Sequence, residues 1–175
     1  PSESPILIIL HGHGSQKASK FRDPKWNILA PIDNYGKDSL GSWWLGENGN
    51  NFVLELLHRL ISKIETETQS TKGLYFWGSS MGGFGALLHG ILLNAKAVYA
   101  NIPQVKLLGT TYSEAGMKKY FEPIFDKLDS EKLYNDVTNM LNVNNTTQNP
   151  LFFIAQSEFD YKNYTDEHAL YFADK

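Results

Sequence analysis

The sequence predicts an α/β fold, a three-layer, doubly wound parallel sheet of about five strands. Short apolar runs that suit buried strands alternate with longer segments in which apolar residues recur at helical spacing. This alternation is typical of parallel strands joined by helices that cover the sheet. At 175 residues, 42% of them hydrophobic, the chain can bury one sizeable core, so we expect a single domain over residues 1–175.

The five predicted strands are apolar runs too short for buried helices and rich in β-branched or aromatic residues. They lie at residues 6–10, 26–32, 74–77, 96–101 and 151–155. The helical pattern is found at residues 51–67, 81–93, 113–127, 130–141 and 164–173. His58 falls on the polar face of the first helix, where we expect solvent, and His89 falls inside the apolar second helix.

The segment Gly78-Ser79-Ser80-Met81-Gly82 follows the third strand, opens an apolar helix and fits the pattern Gly-x-Ser-x-Gly. A sharp turn there puts Ser80 in a strained conformation and leaves no room for a Cβ at Gly78 or Gly82. The hydroxyl then stands at a helix N-terminus, where the helix dipole favours developing negative charge. The context predicts a nucleophilic serine; a glycine-rich turn without chemistry is the alternative.

This segment resembles the nucleophile elbow of the α/β-hydrolase superfamily. His11-Gly12-His13-Gly14, directly after the first strand, resembles the oxyanion-hole loop of the same superfamily. More loosely, the chain is similar to hydrolase-like proteins that modify bacterial surface polysaccharides and glycoproteins. The resemblance covers most of the chain in order and spacing, and it implies a serine esterase or acyltransferase that needs no cofactor.

The resemblance also implies an acid that orients the catalytic base. Asp160 follows the last strand at the spacing where α/β-hydrolases carry this acid, and Glu158 competes for the role. A helix-capping or solvated carboxylate is the other interpretation of Asp160. The family sometimes places the acid after the preceding strand, but residues 101–104 there offer no carboxylate.

Backbone amides are expected to bind the oxyanion. Met81, next to the nucleophile, is one predicted donor, and Gly12 or His13 in the loop after the first strand is the other. His11 and His13 together also raise the possibility of a metal site. Because no cluster of acidic ligands lies near them in the sequence, we expect the oxyanion loop and no metal.

The catalytic histidine is harder to assign. In the family it follows one further strand beyond the acid, and the sequence reaches Lys175 before any such strand. His168 lies only eight positions after Asp160, inside a predicted helix that would turn away along the sheet, so it is a poor candidate base. We therefore expect a truncated chain whose histidine lies outside it; a degenerate site is the alternative.

Two further segments have two interpretations each. Trp43 and Trp44, adjacent in a loop, are candidate substrate-binding residues that line a cleft, or they cap the core. Residues 104–149 are longer than the shortest connection that could join two parallel strands. In the family this is a common place for a helical lid, and two ordinary surface helices are the alternative.

Composition excludes several classes of function. Sixteen basic residues against 19 acidic ones, without a long basic run, give no reason to expect nucleic acid or an anionic membrane as a partner. The chain has no cysteine, which excludes disulfides and thiolate metal sites, and no apolar stretch long enough to span a bilayer. Cytoplasmic location is the default, although an N-terminus without methionine is compatible with a removed signal.

The sequence therefore predicts a serine hydrolase or acyltransferase that acts on a small-molecule or glycan ester, such as an O-acetyl group, through an acyl-enzyme. The alternative is a non-catalytic binding module of the same fold that keeps the elbow and recognises glycan through Trp43 and Trp44.

Overall fold

A five-stranded parallel sheet forms the centre of the computed structural model, which describes residues 3–15, 17–70, 72–125, 128–143 and 149–175. The strands lie in the order β2-β1-β3-β4-β5. Their bounds are β1 Ile6–Leu10, β2 Asn27–Leu29, β3 Leu74–Ser79, β4 Ala97–Asn101 and β5 Leu151–Ala155. The predicted α/β fold class with a parallel sheet of five strands is confirmed, and β3 is its central strand.

Helices connect the strands as the pattern predicts, with shorter pieces in the second half. The α-helices are α1 Phe52–Thr68, α2 Met81–Leu92, α3 Lys118–Phe121, α4 Leu128–Tyr134, α5 Asn139–Val143 and α6 Tyr171–Ala173. A π-helical turn, Ser113–Met117, precedes α3, and a second one, Thr165–Leu170, precedes α6; 3-10 turns lie at Lys37–Ser39 and Glu122–Ile124. β2 is shorter than predicted, and Pro31 beyond it has no N–H to offer the ladder.

α2 packs on the sheet along nearly its whole length. Its residues Met81 to Ile91 are all buried, as expected for a helix that is apolar on every side. On the opposite face of the sheet, Trp77, Tyr99 and Phe153 pair side by side across β3, β4 and β5 and are 39%, 40% and 56% exposed. This row of side chains is therefore only partly covered.

Trp43 and Trp44 lie in the core, at 0% and 1% exposure. The buried carboxylate of Asp33 holds their loop, because it accepts hydrogen bonds from the backbone N–H groups of Ser42 and Trp44, both at 2.9 Å. Both tryptophans have positive φ, at 51° and 62°, a conformation that residues with a side chain adopt only where the surroundings hold it. This corrects the assignment of Trp43 and Trp44 to a substrate-contacting surface: they cap the core.

The described part of residues 104–149 packs against the same core as the sheet. Its buried apolar members in that cluster are Val105, Leu107, Phe121, Ile124, Phe125, Val137 and Met140. The segment therefore contributes to the fold itself. A lid movement within it stays a prediction.

His89 and His58 form a hydrogen-bonded pair between α2 and α1. His89 is completely buried; its Nε2 lies 3.0 Å from the carbonyl oxygen of Trp44 and its Nδ1 3.3 Å from Nε2 of His58. The solvent-exposed position expected for His58 is therefore wrong. α1 turns Val53, Leu57 and Ile61 toward the core, which brings the neighbouring His58 onto His89.

This pair makes stability depend on pH. Burial, with a smaller contribution from His58, lowers the pKa of His89 to about 3, below the 6.5 of a free imidazole. The unfolded chain therefore binds the proton first. The stabilisation is complete above about pH 6.5 and is lost as pH falls from there toward 3.

We expect the free energy of unfolding to fall by about 2 kcal/mol from His89 alone between pH 7 and pH 5, at about 1.4 kcal/mol per pH unit below 6.5. Denaturant titrations at the two pH values measure this change. The variant His89→Gln keeps an amide for hydrogen bonding but cannot titrate, so its pH dependence should be shallower by that amount. An equal slope in wild type and variant would contradict the assignment.

Candidate active site

Ser80 occupies the junction between β3 and α2 with φ 54° and ψ −119°, a conformation that is strained for a residue with a side chain. Hydrogen bonds on both sides hold it there. Its N–H donates to the Asn101 carbonyl oxygen at 2.9 Å, and its own carbonyl accepts from the N–H of Phe84 at 3.0 Å. Ser80 therefore stands at the carboxyl end of the central strand and at the N-terminus of a buried helix.

The glycines on either side of Ser80 have no room for a side chain. A Cβ on Gly78 would overlap the carbonyl oxygen of Gly82, and a Cβ on Gly82 would overlap the carbonyl oxygen of Leu10 at the end of β1. These are backbone atoms, which cannot move aside as a flexible side chain can. The sequence prediction for both glycines is confirmed.

The loop after β1 lies beside this turn. A Cβ on Gly12 would stand 3.8 Å from the Cβ of Ser80 and 3.2 Å from the Ser79 carbonyl oxygen. His11 ties the loop down: its Nε2 accepts from the Asp33 N–H at 2.8 Å, so its Nδ1 carries the proton and donates to the Gly12 carbonyl at 2.8 Å. Both nitrogens of His11 are thus engaged. Within the described ranges no group of three or more metal-ligating side chains is found.

His13 is packed by its ring. It stacks on Trp43 with 5.1 Å between ring centroids and meets the edge of Tyr120 at 4.6 Å. Burial lowers its pKa below the ordinary histidine value, and a hydrogen bond to the Leu40 backbone opposes this in part. The imidazole is therefore neutral at pH 7. Its backbone N–H, together with that of Met81 at the start of α2, remains the predicted pair of oxyanion donors.

Gln104 is the side chain that bonds to the Ser80 hydroxyl, and sequence reasoning missed it. Its Nε2 donates to Ser80 Oγ at 3.1 Å and also bonds to the hydroxyl of Tyr164. Its Oε1 accepts from Nε1 of Trp43 at 3.0 Å. The available signal is its position just after β4, at the same sheet edge as Ser80.

Asp160 lies after β5 in a turn of its own. Its Oδ2 accepts from the Ser157 N–H at 3.1 Å and from the Gln156 side-chain amide. Among its electrostatic neighbours is Tyr164, whose pKa is raised mainly by burial and slightly by the charge of Asp160. Glu158 is exposed. Asp160 is thus the better-held carboxylate of the two, and its role as the orienting acid stays a prediction.

None of the five histidines, all within the described residues, hydrogen-bonds to Ser80. His168 is buried, and its Nδ1 accepts from the Val105 N–H at 3.2 Å. Burial lowers the pKa of His168 to about 4, with the charge of Glu167 opposing. Its acceptor nitrogen is therefore occupied by the backbone, and its unsuitability as a base stays a prediction.

Solved structures place this arrangement among known folds. The capsule O-acetyltransferase of Neisseria meningitidis serogroup A superposes with a TM-score of 0.67 and 21% identity, over 98% of this chain and 74% of the other. The fluorophosphonate-binding serine hydrolase FphF of Staphylococcus aureus gives 0.67 and 16%, over 99% and 72%. The chain has the α/β-hydrolase fold.

A third α/β-hydrolase neighbour, S-formylglutathione hydrolase from Agrobacterium tumefaciens, gives a TM-score of 0.61 and 15% identity over 87% of this chain. The chain spans only 64% of that enzyme's length. No protein-family model and no curated protein sequence matches the chain. No helix in the described part of this α/β-hydrolase fold is long and apolar enough to cross a membrane.

Because of the tight contact at Gly82, replacing this glycine by alanine should destabilise the protein, whereas helix propensity alone would favour alanine. In a free helix, Ala is favoured over Gly by about 1 kcal/mol. Here Gly82→Ala should instead destabilise by about 2 kcal/mol, because the new methyl meets the Leu10 carbonyl. Denaturant unfolding measures the effect. Gly12→Ala is the control for stability: its Cβ meets nothing closer than 3.2 Å, so the loss should stay under about 1 kcal/mol. A stabilised Gly82→Ala would contradict the geometry.

Proposed function

We propose that the protein is an acyl-transfer enzyme that cleaves an ester through a serine acyl-enzyme, with Ser80 as nucleophile. The observation that carries the proposal is the strained backbone of Ser80 between two glycines that admit no Cβ. Such strain persists only where the surroundings enforce it, and it is concentrated at functional sites. The fold similarity to serine hydrolases supports the proposal at the level of architecture.

The remaining roles follow from position. The N–H groups of Met81 and of His13 or Gly12 would bind the oxyanion, since Gly12 lies beside Ser80 and Met81 begins α2. Asp160 would orient the base. In the reaction the Ser80 oxygen bonds to the acyl carbon, its proton passes to the base, and the leaving group departs with a proton. Water or an acceptor hydroxyl then releases the acyl group.

For the substrate we propose an O-acyl group on a glycan, with transfer of acetyl to or from a sugar as the specific variant. The support is similarity in fold to a capsule O-acetyltransferase. Ser80 chemistry itself is common to hydrolysis and transfer, because the two reactions differ only in what accepts the acyl group.

The second candidate is a non-catalytic binding module of the same fold. It is favoured by one observation: among the described histidines none hydrogen-bonds to Ser80, whose hydroxyl is bonded to Gln104 instead. Because Trp43 and Trp44 are both buried, they cannot form the glycan-binding surface that the sequence predicts for such a module. The two candidates differ in whether Ser80 reacts.

Chemical rescue tests the enzyme directly. We expect the 175-residue chain to hydrolyse a short-chain aryl ester at least about 10³-fold more slowly than complete triad enzymes, because loss of a triad member leaves only residual catalysis. Added imidazole, which supplies a diffusible base, should raise this rate with increasing concentration. Ser80→Ala at the same imidazole concentrations subtracts direct attack of imidazole on the ester.

The matched variant is His168→Gln, which should leave both the basal and the rescued rates unchanged. Strong activity without imidazole that disappears in His168→Gln would overturn the assignment of His168 as a packing residue. If the wild-type rate with imidazole equals that of Ser80→Ala, the enzyme proposal is contradicted and the binding module is favoured. Mass spectrometry after treatment with a fluorophosphonate and imidazole should locate the label on Ser80.

A further inference from the structure

The amide of Gln104 is buried, at 1% exposure, and three side chains set its orientation. Indole Nε1 of Trp43 can only donate a hydrogen bond, so the group it meets at 3.0 Å must be the amide oxygen of Gln104. The amide nitrogen consequently faces Ser80 and Tyr164. Tyr164 in turn donates its phenol hydrogen to the Ile102 carbonyl at 3.1 Å. The two N–H bonds of the amide are thus both used, and its orientation is determined.

This orientation fixes what the Ser80 hydroxyl can do. Nε2 of Gln104 donates at 3.1 Å, so Oγ of Ser80 is the acceptor in this bond. An amide N–H cannot take up a proton, and the hydroxyl hydrogen must therefore point elsewhere. A donor beside Oγ also favours negative charge on that oxygen as its proton leaves.

We propose that Gln104 is a positioning residue for Ser80, an inference that rests on the proposed nucleophilic role of this serine. The amide holds Oγ in one rotamer and keeps the hydroxyl proton free for the base. It also stabilises the negative charge that grows on Oγ as the proton leaves, before this charge passes to the carbonyl oxygen with formation of the bond from Oγ to the acyl carbon. The proton goes to the base, and Gln104 stays unchanged throughout.

A purely structural role is the rival explanation, since Gln104 also joins Trp43 to Tyr164 inside the fold. The chain offers a matched pair for comparison. Asn101 Nδ2 donates to Ser79 Oγ at 3.1 Å, an amide-to-serine hydrogen bond of the same length one residue away. Asn101→Leu removes this bond without touching the Ser80 hydroxyl.

The first measurement is the imidazole-dependent, Ser80-dependent turnover of a short-chain aryl ester. Gln104→Met has nearly the shape of glutamine but no donor. We expect its kcat to fall about tenfold with KM changed less than about twofold, the loss of one hydrogen bond that strengthens with charge. Asn101→Leu should stay within about twofold of wild type in both constants. Melting temperatures of both variants show whether the fold is kept.

The second measurement uses Gln104→Glu, in which the donor to Ser80 returns only on protonation. A carboxylate cannot donate to Oγ, whereas a protonated carboxyl can. The ratio of the variant's rate to the wild-type rate at equal imidazole should therefore rise as pH falls and the glutamate takes up a proton. The titratable side chains around the amide are Tyr164, His168 behind it and His13 behind Trp43. They are common to both proteins, and the variant Gln104→Glu with Ser80→Ala measures any pH dependence of these groups that does not act through Ser80.

The outcomes separate the two proposals. Wild type without rescued, Ser80-dependent turnover overturns the proposed function, and this inference falls with it. If imidazole rescues the wild type and Gln104→Met is as fast as wild type, the proposed role of Gln104 is overturned while the proposed function stands. The same holds if kcat falls equally in Asn101→Leu and Gln104→Met. If Gln104→Met does not fold, the pH ratio of Gln104→Glu decides: a ratio that does not change with pH rejects the positioning role.

Discussion

The close approach of the start of α2 to the end of β1 is the constraint on which the site depends. Gly82 meets the Leu10 carbonyl with no space for a Cβ, and Gly78 meets Gly82 in the same way. The chain can pass from strand to buried helix here only by a sharp turn, and the residue at that turn takes a positive φ. The strain on Ser80 is a consequence of this packing. It is held by β-ladder hydrogen bonds on one side and by a helix buried along its length on the other.

The interactions around the Ser80 hydroxyl follow from a second buried group, the carboxylate of Asp33. A buried charge is tolerated when hydrogen bonds surround it, and the backbone of residues 42–44 supplies them. This folds the two tryptophans inward and carries Nε1 of Trp43 to Gln104. Asp33 therefore acts on Ser80 through two intermediates, although the carboxylate itself is distant in sequence from the elbow. The backbone N–H of Asp33 donates to His11 and so also fixes the loop beside Ser80.

Local patterns predicted the parts of this structure that depend on local chemistry. The strands, the two long helices and the glycine-flanked serine follow from periodicity and steric demand, and each was found within a few residues of its predicted bounds. The errors lie where long-range contacts decide. Trp43 and Trp44 are buried because hydrogen bonds to Asp33 turn their loop, and local sequence patterns do not predict these hydrogen bonds. His58 is partly buried against His89, whereas Leu56 and Leu60 of the same helix are exposed, contrary to a simple count of apolar residues. Gln104 belongs to the site only because β4 ends beside β3.

The remaining question at the site is where the Ser80 proton goes. Backbone strain, helix N-terminus and the Gln104 amide all act to hold the oxygen and to favour charge on it, and none of them accepts a proton. Four of the described histidines hydrogen-bond elsewhere: His11 to Asp33, His89 to Trp44 and His58, and His168 to Val105. Nδ1 of His13, in the loop beside Ser80, is buried without a hydrogen-bond partner among the described residues. The groups that hold the Ser80 oxygen are thus different from the group that would accept its proton. The strained elbow and the Gln104 amide hold the Ser80 oxygen whether or not a base is in place, so the hydrogen bonds of the histidines do not decide against the nucleophilic role proposed for this serine.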